Sequence, residues 1–100
     1  MENKNRYVMC RTYAMGVFAG ELDPASTETL KILNNARRIW YWTGAASLSQ
    51  LATEGTGNPT GCKFPCEVSR VELTSPQGFE IIDITDKARE SIKSVPTWKQ

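Results

Sequence analysis

Alternation of apolar and polar residues runs through most of the chain and predicts β-strands. The strand-like segments are rich in β-branched and aromatic residues, and they lie at residues 6–13, 17–22, 28–33, 36–42, 66–74 and 79–84. Short stretches of turn composition separate several of them, at residues 14–16, 23–27 and 75–78. The first four segments follow one another closely, which predicts an antiparallel meander.

Two stretches have helical spacing instead. Ser47 and Gln50 fit a capping box, the apolar residues after them recur at helical intervals, and Gly55 is a natural stop. A final helix starts at Thr85 or Asp86 and ends before Pro96. Its predicted inner face consists of Ala88, Ile92 and Val95. The pattern therefore predicts an α+β fold, an antiparallel β-sheet meander with two short helices, in a single small domain that spans residues 1–100.

Charge and composition narrow the classes of function. The net charge is +1, and no basic stripe or tail is present, which argues against binding to DNA. The apolar runs are too short to span a bilayer, so we expect no membrane association. "MENKNRYVMC" lacks the apolar core of a signal peptide, and an odd count of three cysteines favours a reducing compartment, so we expect a cytoplasmic protein.

The chain contains no histidine, which removes the commonest general base and the commonest metal ligand. Cys62 and Cys66 are separated by three residues, and Cys10 is the only other thiol, whereas a zinc site usually needs four ligands. We therefore expect no catalytic residues, no metal, no cofactor and no structural disulfide. The sequence favours half-buried thiols on either side of Phe64 and Pro65.

The stretch "ARRIWYWTGAASLSQLATEG", residues 36–55, carries the most distinctive chemistry. If residues 36–42 are extended, alternation places Arg38, Trp40 and Trp42 on one face. The opposite face then carries Arg37, Ile39 and Tyr41. Indole rings offer a stacking surface for a base, and an arginine offers a fixed charge for phosphate, so this combination predicts a nucleotide site.

The residues after the strand add to this prediction. "TGAAS" is small enough for a ligand to approach the backbone, and a helix that begins near Ser47 would present free N–H groups to an anion. The predicted ligand-binding set is Arg37, Arg38, Trp40, Trp42, Ser47, Phe18 and Arg89. For Arg89, a solvated position on the last helix is the competing interpretation.

A second interpretation of the aromatic stretch is packing. Tryptophans usually lie in a core or an oligomer interface, with arginine covering the ring. The two interpretations are compatible if the site lies at a subunit boundary. Because a short chain with nine aromatic residues gains buried surface by association, we expect a homo-oligomer, a dimer or a hexamer.

Three stretches, "RTYAMGVFAGEL", "NARRIWYWTGAASLSQLATEG" and "VPTWKQ", resemble the first type of phage Thoeris anti-defence protein. The resemblance implies a β-sheet protein with helices that forms dimers and hexamers. It also implies a protein that sequesters cyclic ADP-ribose-type signals made by TIR-domain proteins, without degrading them. Some members hold cyclic oligonucleotide signals from cGAS-like enzymes at a separate site, as in CBASS defence. The positions that match the family motif are Arg37, Arg38, Trp40 and Trp42.

The expected function is thus a non-enzymatic phage anti-defence protein, a sponge for a cyclic nucleotide signal. The alternative is an interaction module that inhibits a host protein by docking through the aromatic stretch, because Trp, Tyr and Arg also dominate protein interfaces. A hydrolase of such signals is disfavoured by the missing acid–base residues.

Overall fold

A computed structural model describes residues 6–99 of the chain. It contains five strands, β1 (Tyr7–Thr12), β2 (Gly16–Leu22), β3 (Leu30–Arg38), β4 (Val68–Thr74) and β5 (Phe79–Asp83), and two helices, α1 (Leu48–Glu54) and α2 (Asp86–Ser94). A single 3-10 turn, Pro59–Gly61, lies between α1 and β4. The strands form one antiparallel sheet in the order β4-β3-β2-β1-β5. The predicted α+β class is confirmed.

The helix boundaries follow the predicted capping signals. Ser47 caps α1 by accepting a hydrogen bond from the Gln50 amide, and Gly55 ends the helix. The Gln50 side chain accepts from Ala46 rather than from Ser47, so only half of the predicted capping box forms. At α2 the cap is Thr85, whose hydroxyl accepts from the Ala88 amide. Within residues 6–99, neither helix is long and apolar enough to cross a membrane.

The prediction of separate strands at 28–33 and 36–42 was wrong. Residues 30–38 form one strand, interrupted at Asn35, whose φ of 49° lies in the left-handed region. The register between β2 and β3 shifts at this point, between Ala19 and Glu21. Such a bulge adds one residue to one strand, and it explains why the two asparagines interrupt the pattern without ending the strand. The strand ends at Arg38, so residues 39–42 lie outside the sheet.

One face of the sheet is covered by the two helices, and we call it the helix-covered face. Three residues that the pattern predicted to point inward are buried here, Ala88 and Ile92 of α2 and Val95 at its C-terminal end. The core on this face also includes Tyr7 and Met9 from β1, Ile39, Leu51 from α1, and Phe64.

The opposite face, the helix-free face, is nevertheless buried at its centre. Val8, Cys10, Leu33 and Ala36 are fully inaccessible to solvent there. The cause is the connection between β4 and β5, which joins the two outer strands of the sheet through residues 75–78. The connection from Thr74 to Phe79 contains five Cα steps and can span at most about 18 Å. In a flat sheet the two outer strands would lie four strand spacings apart, about 19 Å.

The sheet must therefore curl, so that β3 and β4 fold over β1 and β5. Lys31 of β3 indeed lies over the ring of Phe79 of β5, with 5.4 Å between the ammonium nitrogen and the ring centroid. Two strands, β2 and β1, separate these two residues within the sheet. The helix-free face thus closes a second core without any helix, in the manner of a partly closed barrel.

Candidate functional site

The bulge at Asn35 decides which way the two neighbouring arginines point. In a regular strand, residues three positions apart face opposite sides. Leu33 and Ala36 nevertheless share the helix-free face, because the extra residue shifts the alternation between them. As a result, Arg37 points to the helix-covered face and Arg38 to the helix-free face.

Arg37 is buried, with 6% of its surface exposed, and its guanidinium is surrounded by backbone carbonyl groups. It donates hydrogen bonds to the carbonyl oxygens of Phe64, Pro65, Ile92 and Val95 at 2.7–3.1 Å. Burial lowers the pKa of Arg37 from its usual value. These bonds tie the segment before β4 to the end of α2, so the side chain is committed to the fold rather than to a ligand.

Arg38, in contrast, lies at the surface over the ring of Phe18, with 4.3 Å between its guanidinium carbon and the ring centroid. One nitrogen, Nη1, donates to the carbonyl oxygen of Met15 at 3.0 Å. Gly16 makes room for this arrangement: its φ is 88°, and a Cβ there would lie 3.3 Å from Nη1. The β1–β2 turn therefore positions Arg38 and leaves its other donors accessible.

The Arg38–Phe18 pair forms one wall of a groove of about 580 Å³ on the helix-free face, which we call the sheet groove. Its lining combines the pair with small and apolar residues, among them Ala36, Val68, Val71 and Leu73. Met15 and Cys66 lie at its rim. The groove occupies the part of the helix-free face that the curled sheet leaves open. Its volume and its mixture of cation, ring and apolar surface suit a flat anionic molecule.

Trp40 belongs to a different surface, the aromatic platform, which consists of Trp40, Tyr41, Lys63 and Trp98. The rings of Trp40 and Trp98 stack in parallel, with 5.0 Å between their centroids and 2° between their planes. The Lys63 ammonium lies 5.6 Å from the Trp40 centroid and 5.7 Å from the Trp98 centroid.

The platform is exposed. Trp40 has 57% and Tyr41 has 49% of its surface accessible. Backbone pairing holds it in place, because Tyr41 and Lys63 exchange hydrogen bonds and the Trp98 amide donates to the carbonyl oxygen of Phe64. The outer face of Trp40 is therefore free to contact a ligand or another protein.

The remaining residues of the predicted set lie elsewhere. Trp42 is partly buried against the core of the helix-covered face. Ser47 is used as the cap of α1, a helix of seven residues. Arg89 lies over the ring of Tyr7 at 4.4 Å and forms an ion pair with Glu21 at 3.3 Å. The prediction that Arg38, Trp40 and Trp42 form one strand face was wrong, because the chain leaves the sheet after Arg38.

Most residues of these two surfaces were not in the predicted set, among them Lys63, Trp98 and Met15. Lys63 lies inside "CKFPC", where the spacing of the thiols drew attention away from the lysine. The expectation of half-buried thiols there was also wrong, since Cys62 is buried and Cys66 is exposed. Cys10 is buried, and its burial raises the pKa of its thiol to about 11.

A family model covers most of the chain. The DUF6948 family, described as a domain of unknown function, matches residues 5–92. The chain belongs to this family. The DUF6948 match extends from the start of β1 into α2, so it includes Arg37, Arg38 and the sheet groove, while Trp98 follows it. No curated protein and no solved structure shows significant similarity.

Proposed function

We propose that this DUF6948 protein binds a small cyclic nucleotide of the cyclic ADP-ribose class in the sheet groove and sequesters it unchanged. The observation that carries the proposal is the exposed Arg38, held over the buried ring of Phe18 at the wall of an apolar groove. An arginine plane can stack on a base, and its free N–H groups can bind phosphate oxygens. The groove is also large enough to take most of a nucleotide.

The chemistry of the groove supports sequestration rather than turnover. The titratable side chains that line it are those of Arg38 and Cys66. Glu72 alternates with Val71 and Leu73, which face the groove, so its carboxylate lies on the opposite side of β4, where it accepts two hydrogen bonds from Arg70. With no histidine in the chain to activate a nucleophile, a binding protein is the better account than an enzyme. The resemblance to the Thoeris anti-defence family suggests the biological role, removal of an immune signal in the host cytoplasm.

The test is calorimetric titration of the protein with cyclic ADP-ribose isomers. We expect Arg38→Ala to weaken binding roughly tenfold to hundredfold, since a hydrogen bond to a charged group contributes about 1.5–3 kcal/mol. Arg6→Ala removes an equal charge from an exposed arginine paired with Asp83, away from the groove, and should bind like the unmodified protein. Equal affinity of both variants would place the ligand elsewhere.

Two further measurements separate a sponge from an enzyme and locate the ligand. Heating the saturated complex and analysing the supernatant by chromatography should release intact ligand, whereas a degraded ligand contradicts sequestration. Cys66 is the exposed thiol at the rim of the groove, and Cys10 and Cys62 are buried. Bound ligand should therefore slow alkylation of Cys66, and an unchanged rate would argue against this groove.

A second candidate function rests on the exposure of Trp40 and Tyr41, which gives the aromatic platform the composition of a protein interface. In that case the protein would inhibit a host protein by direct docking. Trp40→Ala would then abolish capture of a host partner, while Arg38→Ala would leave it intact. The reverse pattern, with nucleotide binding lost only in Arg38→Ala, favours the sponge.

A further inference from the structure

The outer edge of β4 is open along its length. Among residues 6–99, β4 pairs with β3 alone, and Arg70, Glu72 and Thr74 are exposed. The strand has seven residues and contains neither proline nor glycine, and 43% of the surface of Val68 is accessible. Proteins usually protect such an edge with a bulge, a proline or a cover, because its free backbone groups pair readily with another strand.

The hydrogen-bond pattern shows which backbone groups of β4 point outward. The carbonyl groups of Leu30 and Ile32 in β3 accept from Thr27 and Asp23, on the side away from β4. Residues bond alternately to the two sides of a strand, so Lys31 and Leu33 face β4. Their partners in the register are Leu73 and Val71. The outward groups of β4 are therefore those of Arg70, Glu72 and Thr74.

This pattern fits a second copy of the same strand. If two β4 strands run antiparallel with Val71 on the two-fold axis, Arg70 of each copy lies opposite Glu72 of the other. Both residues carry outward backbone groups, so they can exchange the two hydrogen bonds of a closely spaced pair. Their side chains then meet as two opposite-charge cross-strand pairs, the favourable combination for directly opposed residues. The strand is self-complementary in backbone and in charge, as a two-fold interface requires.

The other outer strand lacks this property. The charged residues of β5 are Glu80 and Asp83, which are both acidic and are already paired with Arg11 of β1 and with Arg6, the residue before β1. Two β5 edges would bring carboxylates together without any cation from the strand itself. The β4 edge is thus the one of the two that suits association.

We propose that two copies of this chain associate through antiparallel pairing of their β4 edges, with Val71 at the two-fold axis. The sheet becomes continuous across the dimer. Because Val68, Val71 and Leu73 line the sheet groove, the two grooves come to lie on either side of the new junction. The inference goes beyond the proposed function, since it concerns a protein partner and needs no nucleotide.

Sedimentation equilibrium of the full chain without ligand tests the pairing. We expect a concentration-dependent dimer that Glu72→Lys and Arg70→Glu each weaken at least about tenfold, because each reversal places like charges opposite one another twice. The exchanged pair R70E/E72R should restore the dimer. Mixing the two single variants should give a heterodimer, since an all-acidic edge then meets an all-basic one. Glu80→Lys on β5 is the matched control and should leave the dimer unchanged.

The variants keep the test independent of folding. Arg70 and Glu72 are exposed and paired with each other at 2.7 Å, so losing this contact costs about 1 kcal/mol or less of stability. Glu72→Pro removes an outward N–H while leaving the bonds to β3, and it should also give a monomer. A monomer at every concentration, or a dimer that tolerates Glu72→Lys, overturns the proposal.

Discussion

The helix-covered face of the sheet is closed by separate elements, whereas the helix-free face is closed by the curl of the sheet itself. On the first face, α1, α2 and the segment around Phe64 must be held against the strands, and Arg37 ties two of these parts together. On the second face, the short connection at residues 75–78 forces the strands over one another. The curl leaves one part uncovered, and that part is the sheet groove. The comparison shows that a groove can form where the curl of a sheet does not close its face completely.

The largest expected effect comes from breaking the tie on the helix-covered face. Arg37→Ala removes four hydrogen bonds to carbonyl groups; those of Pro65 and Val95 lose the donor, whereas those of Phe64 and Ile92 keep a backbone N–H. The variant should lower the free energy of unfolding by about 3–6 kcal/mol. The neighbouring Arg38→Ala loses one surface hydrogen bond and a cation–π contact, and should cost about 1 kcal/mol or less. Urea denaturation of both variants checks this. Similar losses of unfolding free energy in Arg37→Ala and Arg38→Ala would contradict the structural role assigned to Arg37 alone.

A smaller effect tests whether the helix-free face holds a real core. Leu33 and Leu51 are fully buried on opposite faces of the sheet. Leu33→Ala and Leu51→Ala should each destabilise the protein by about 2–5 kcal/mol, since both leave a cavity in close-packed surroundings. Thermal unfolding of the pair is the measurement. A loss below about 1 kcal/mol for Leu33→Ala alone would show that the curl does not seal its face.

The smallest expected effect is the pH dependence of one buried group on the helix-covered face. Burial raises the pKa of Tyr7 from 10.0 to about 12, although the nearby Arg89 offsets part of the shift. The folded state thus favours the neutral phenol, so this contribution to stability is complete below pH 10 and is lost as the pH rises to 12. A rise in pKa from 10.0 to about 12 corresponds to roughly 2–3 kcal/mol of folding stability.

Tyr7→Phe cannot ionise and should flatten the decline in stability above pH 10. Stability of both proteins measured by denaturant unfolding between pH 8 and pH 11.5 checks the prediction. Cys10 on the helix-free face titrates from a similarly raised pKa, so both proteins retain its contribution. Parallel curves for the two proteins would contradict the assignment to Tyr7.

Local signals in the sequence predicted the fold class, most of the strands and both helices, because capping residues and apolar periodicity act over a few positions. They could not predict where β3 ends. Ile39, Trp40 and Tyr41 have high β-propensity, yet β4 begins opposite Ala36 and β2 ends its pairing at Arg38. A strand needs partners, and partners are set by distant parts of the chain.

The same limit applies to the candidate site. Alternation correctly separated Arg37 from Arg38, because the two are adjacent and still lie in the strand. It failed for Trp40 and Trp42, whose positions depend on Lys63 and Trp98 and on the core of the helix-covered face. The sequence of residues 36–42 contains no signal for those long-range contacts. The groove itself was beyond prediction from a linear pattern, since it results from the curl of the whole sheet.

The pairing of β1 with β5 has a consequence for the order of events during synthesis. Arg6 and Asp83, which pair at the ends of these strands, are 77 residues apart. At about 5–20 residues per second, β5 emerges several seconds after β1 has formed its hairpin with β2. Throughout that interval the edge of β1 that will pair with β5 has no strand beside it. The nascent chain is therefore vulnerable to wrong pairing, and closing this last edge is the step that should limit how fast the protein reaches its native state.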